Sequence, residues 1–67
     1  MSPEDLMAHL DAAIAAAPTA QQALVAAVDE GYAWLEEAGD TWSDDAVTGV
    51  RVRLAHAESL IVRYFGM

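Results

Sequence analysis

From Val47 to Tyr64, apolar side chains recur at Val47, Val50, Leu54, Ala57, Ile61 and Tyr64, at intervals of three, four, three, four and three. An α-helix stacks that spacing on one side, whereas an extended strand would scatter it over both faces. The segment is therefore predicted to be a helix with a heptad-like seam, and a seam needs an apolar partner to cover it. Too few turns repeat for an extended coiled coil. The partner must come from the rest of a 67-residue chain, and nothing in that remainder alternates as a half-buried strand would. The expectation is an all-α, single helical domain over residues 1–67.

Punctuation places the other helices. Ser2 precedes Pro3, Glu4 and Asp5: a capping hydroxyl, a proline suited to the first helical position, and acids where the helix dipole favours them. Helix 1 is predicted over 3–17, because Pro18 disfavours helical geometry in the residue before it. Thr19-Ala20-Gln21-Gln22 has the form of a capping box, which opens helix 2 over 20–38. Gly39 then supplies a left-handed terminus. Ser43 or Thr41 is the expected cap of helix 3, over 44–65, with Gly66 beyond it. The short linker favours an antiparallel helix 2–helix 3 hairpin with helix 1 packed across it. The predicted core is Leu6, Leu10, Leu24, Val28, Leu35, Val47, Val50, Leu54, Ile61 and Tyr64, with Gly31 facing it to let helix 3 approach closely.

Charge divides the chain unequally. Residues 1–43 hold Glu4, Asp5, Asp11, Asp29, Glu30, Glu36, Glu37 and Asp40 with no base, while Asp44, Asp45 and Glu58 are offset by Arg51, Arg53 and Arg63. The whole net charge of −8 thus belongs to the first two thirds. None of the arginines has an acid three or four positions away, so pairing along helix 3 does not explain them. Two explanations stand: their stems cover core edges beside Tyr32 and Trp34, or they flank a helix–helix interface and meet acids of a neighbouring chain.

A domain of this length yields only about 3–5 kcal/mol from an isolated core, and with no cysteine it has no disulfide or thiolate metal site to add to that. Val25, Tyr32, Trp34, Trp42, Val52, Val62 and Phe65 lie off the central seams, more apolar surface than one small three-helix domain can hide. Tyr32, Trp34, Trp42, Val52, Val62 and Phe65, with Arg51, Arg53 and Arg63, form the expected partner interface, and a homo-oligomer completing a larger helical bundle is the leading form. Asp29, Glu30, Glu36 and Glu37 form an acidic face on helix 2.

Little chemistry is expected. His9 and His56 lack a ligand-spaced companion, apart from Asp5 four residues before His9, which reads as an exposed helix contact; no metal and no cofactor are predicted. The stretch "DTWSDDAVTGVR" has the acid density of a calcium loop, but Trp42, Asp45 and Arg51 occupy its third, sixth and twelfth places, the last two being where glycine and glutamate are required. No paired nucleophile and base or glycine-rich phosphate loop is found, so the chain is expected not to be an enzyme. The charge also argues against direct nucleic-acid binding. No apolar run is long enough to cross a bilayer and no basic leader opens the chain, so a cytoplasmic location is expected, or a virion if the chain is phage-encoded. Fifteen alanines with no lysine, asparagine or cysteine fit a GC-rich coding bias such as an actinobacterium or its phage would have.

The function expected is a protein–protein interaction or structural role carried by helix packing, as a homo-oligomer or as an accessory subunit of a larger assembly such as a phage particle. One alternative is an acidic inhibitor that neutralises a basic or toxic protein as a nucleic-acid mimic. The other is a small oligomeric enzyme with a pocket between subunits, lined by His56, Arg63 and a second chain's acids.

Overall fold

The computed structural model describes residues 1–66 and contains three α-helices: α1 (Pro3–Ala16), α2 (Gln21–Ala38) and α3 (Asp44–Phe65), with a 3-10 turn over Gly39–Thr41 between the last two. Each boundary has a local cause. The Ser2 hydroxyl accepts from the Asp5 amide at 3.1 Å, and Pro3 starts α1. Ser43 does the same for α3, accepting from the Ala46 amide at 3.2 Å. At the other end of α3, Gly66 adopts φ 71° and its amide returns to the Val62 carbonyl at 2.9 Å. A side chain at that φ would be strained, and glycine is the residue that ends a helix there at no steric cost.

Two expected caps are not formed. Thr19 does not cap α2: its hydroxyl turns back and donates to the Ala16 carbonyl at 3.2 Å, satisfying the frayed end of α1, and Ala20 begins α2 without a side-chain bond. Gly39 is not left-handed. It keeps helical angles, φ −57° and ψ −32°, and carries the chain into the 3-10 turn, where Thr41 donates to the Ala38 carbonyl at 2.7 Å. The tighter winding closes the carbonyl end of α2 without a change of hand.

Side-chain pairs fix the packing register. Gly31 meets Leu54, and Leu35 shares a cleft with Arg51, so rising numbers on α2 oppose rising numbers on α3 and the two are antiparallel. Met7 lies against Gly49 and Asp11 against Arg53, a constant offset that runs α1 parallel to α3. Helix α1 packs on both members of the hairpin, and the bundle measures 34 × 19 × 17 Å.

The interior is apolar throughout. Leu6, Leu10, Leu24, Val28, Val50 and Leu54 are buried as predicted, with Ala13, Ala17, Ala27 and Ala57 filling the space between them. No polar side chain is buried among the described residues. Leu35, Val47, Ile61 and Tyr64, also assigned to the core, are only half-buried. Ile61 and Tyr64 fall past the level where α1 ends, so α2 alone covers that end of α3. Leu35 and Val47 line the open cleft instead.

Gly31 is a point of closest approach: a Cβ there would stand 2.7 Å from Leu54 Cδ2, and Leu54 is 1% exposed. The expected close approach of α3 at Gly31 is thus present. At Gly49 an added Cβ would stand 2.6 Å from the Met7 sulfur, but Met7 is half-buried and has three torsions with which to move. The two glycines should therefore respond differently. Gly31→Leu is expected to unfold the domain, and Gly49→Ala to raise its stability by up to about 1 kcal/mol through helix propensity. Thermal unfolding followed by circular dichroism checks both.

Candidate interaction surface

The residues singled out in the sequence do not form one patch. Helix α2 has neighbours on two sides, α1 and α3, so the flanks of its apolar stripe are better covered than a hairpin alone would allow. Trp34 and Trp42 are half-buried and pack against the core, and Phe65 is half-buried as well. Each therefore offers a partner only part of its surface. Tyr32, Val52 and Val62 do face solvent, with 45, 62 and 55% of their surface exposed.

Among the described residues, one of the three arginines is engaged with an acid and two are not. Arg53 Nε donates to Asp11 Oδ1 at 3.0 Å, and its guanidinium also donates to the Gly49 carbonyl at 2.9 Å. It was expected to lie over an aromatic ring or to meet an acid of another chain; its acid comes from α1 of its own. The parallel run of α1 beside α3 brings position 11 level with position 53. Arg51 and Arg63 are exposed, and neither has an acidic partner within salt-bridge distance among the described residues.

A second cluster joins α2 to α3. The Tyr32 hydroxyl donates a short hydrogen bond to Glu58 Oε1. That bond, then partial burial, then the charge of Glu58 raise the phenol's pKa above its ordinary value of 10.0, while nearby Arg51 pulls the other way. The proton stays on Tyr32 because removing it would set a phenolate against a carboxylate. Separately, a cleft of about 320 Å³ is lined by Leu35, Gly39, Asp40, Trp42, Asp44, Val47 and Arg51. It is partly open to solvent, and its lining includes the Arg51 cation and two acids, Asp40 and Asp44.

The four residues assigned to an acidic face differ in exposure. Asp29, Glu36 and Glu37 are exposed. Glu30 differs: its carboxylate lies 3.3 Å from His9 Nε2. His9 thus contacts α2 across the bundle instead of Asp5 one turn earlier in its own helix. No helix among the described residues is long and apolar enough to cross a membrane.

One feature of α3 was not apparent from its seam. At about 100° per residue, the side opposite the buried seam carries Thr48, Val52, Ala55, Ser59 and Val62, all of them exposed. No charge interrupts this strip over four turns. Charges border it on both sides, Arg51 and Glu58 along one edge and Asp45 and Arg63 along the other. The seam's helical wheel contained this pattern, and asking what lies opposite the seam would have shown it. Comparison with known proteins yields no match to a family model, to a curated protein or to a solved structure.

Two predictions follow from the cross-helix contacts. Asp11 and Arg53 have side chains 58 and 32% exposed, so a double-mutant cycle with Asp11→Asn and Arg53→Met should return a coupling of only about 0.3–1 kcal/mol, shrinking as salt is added. Tyr32 contributes to stability while its phenol is protonated in both folded and unfolded chains, which holds below about pH 10. That contribution is lost as pH rises through the raised value of the folded state. Ultraviolet titration should show one of the two tyrosines ionising late, and Tyr32→Phe should remove the late component.

Proposed function

We propose that this chain is a non-enzymatic interaction protein that works by helix packing, as a homo-oligomer or as an accessory subunit of a larger assembly. The observation that carries this reading is the outer strip of α3, where Val52 and Val62 are more than half exposed and Arg51 and Arg63 border the strip without acidic partners of their own. A small domain with a core of five fully buried large side chains gains stability from covering such a face. The shape of the surface supports the same reading, since a rigid helix presenting an uncharged strip between charged edges is the form in which one helix recognises another. A particle assembled from many small helical subunits, such as a phage capsid accessory, is one setting that suits it.

The acidic face supports a second reading. Asp29, Glu36 and Glu37 project from α2 with no cation of the chain paired to them among the described residues. They offer a negative surface that a basic or toxic protein could bind, as it would bind nucleic acid.

The two readings place the binding energy on different helices, and one capture experiment separates them. The immobilised chain is presented to an extract of its host at about 50 mM and about 500 mM salt. Packing through α3 predicts that a captured partner survives the higher salt and is lost on Val52→Asp with Val62→Asp, because charges placed in the strip cannot be desolvated. Inhibition through the acidic face predicts the reverse: loss in salt, and loss on replacing Asp29, Glu36 and Glu37 with their amides.

A further inference from the structure

We infer that the occupant of the outer strip of α3 is α3 of a second copy, in an antiparallel two-fold pairing; the inference rests on the helix-packing reading above. The argument is one of charge. Helix α3 carries three acids and three arginines and is neutral, whereas all of the chain's net charge of −8 lies in residues 1–43. Two copies approaching through α1 or α2 meet like charge. Through α3 they meet none in excess.

The order of charges along α3 then selects the direction. Around a two-fold axis perpendicular to two antiparallel helices, each edge of a helix faces the same edge of its partner, and positions whose numbers add to a constant stand opposite one another. With the axis passing near position 54, the edge carrying Arg51 and Glu58 sets each Arg51 opposite the other copy's Glu58. The edge carrying Asp45 and Arg63 sets each Arg63 opposite the other copy's Asp45. Both edges close at one register, since 51 and 58 sum to 109 and 45 and 63 sum to 108. Four ion pairs form from two kinds of contact, and the two arginines used are the two that have no acidic partner among the described residues. A parallel pairing would instead bring Asp44 and Asp45 beside their equivalents and Arg63 beside its own. The antiparallel arrangement also opposes the two helix dipoles favourably.

Between the edges, Thr48, Val52, Ala55, Ser59 and Val62 are of moderate or small size, which permits close helix approach and leaves the two valines of each copy as the apolar contacts. Ala55 stands nearest the axis. Thr48 stands about 6 positions from it, so the two Thr48 residues are about 12 positions apart, or about 19 Å along the pair at 1.5 Å per residue.

Because the chain has no cysteine, single cysteines report this geometry directly. The full chain is examined by sedimentation equilibrium up to about 100 µM, and the variants Ala55→Cys and Thr48→Cys are oxidised and resolved by mass. The expected result is a dimer in which Ala55→Cys crosslinks and Thr48→Cys does not. Arg51→Glu should weaken the dimer by at least about tenfold, since each substitution removes two pairs, and adding Glu58→Arg to it should restore association. Circular dichroism of each variant verifies that the monomer remains helical; all four altered positions are exposed. A monomer throughout the concentration range overturns the self-pairing and leaves packing against a different protein to the capture experiment. A dimer in which Thr48→Cys crosslinks, or in which the reversed charges have no effect, overturns the antiparallel register.

Discussion

The seating of Leu54 over Gly31 is the contact on which the rest of the bundle depends. Leu54 is buried where α2 and α3 come closest, and it can reach that depth because position 31 has no side chain. The approach of the two backbones there sets their antiparallel register. That register leaves a groove which α1 fills with Leu6 and Leu10, both fully buried. The alanines at 13, 17, 27 and 57 act in the same sense, since each keeps a helix surface low enough for its neighbour to settle. The core is therefore built from a few leucines held in place by small residues. Its density comes from closeness of backbones more than from side-chain bulk.

Electrostatics is arranged around this apolar centre. None of the titratable side chains is buried, and the polar contacts that link helices run over the surface: His9 to Glu30, Asp11 to Arg53 and Tyr32 to Glu58. Each pair of helices has one such link. Because they are partly or fully exposed, they add little energy, but they distinguish the native azimuth of each helix from its rotations. One arginine is spent on this internal task. The other two remain at the borders of the uncharged strip on α3.

Local signals were legible in the sequence and relations between helices were not. Ser2-Pro3, Pro18, Ser43 and Gly66 placed the helix ends to within a residue because each acts on its own backbone. Gly39 misled for the same reason: glycine permits a left-handed residue but does not require one, and the 3-10 continuation won. Thr19 had two acceptors or donors within reach, and the free carbonyl of Ala16 took its hydroxyl. Arg53 was placed by reference to α2 and α3 alone. Periodicity shows which face of α1 is apolar but not which way it runs beside α3, so the meeting of Asp11 with Arg53 had no sequence signature. The seam of α3 was read correctly, and the strip opposite it was visible on the same wheel.

The parallel packing of α1 on α3 bears on how the chain reaches its native state. Asp11 and Arg53 are separated by 42 positions, and the first and last helices share one interior with the helix between them. An α1–α2 pair alone leaves Leu24, Val28 and Gly31 open along the side where Leu54 belongs. The last third of the chain must therefore be present before the shared interior closes, and isolated helices of this length are marginal in water. Folding is accordingly concerted: short loops keep most pairings local and the search fast, while closure of the core waits on α3. The helix that carries the outer strip is also the one that completes the fold.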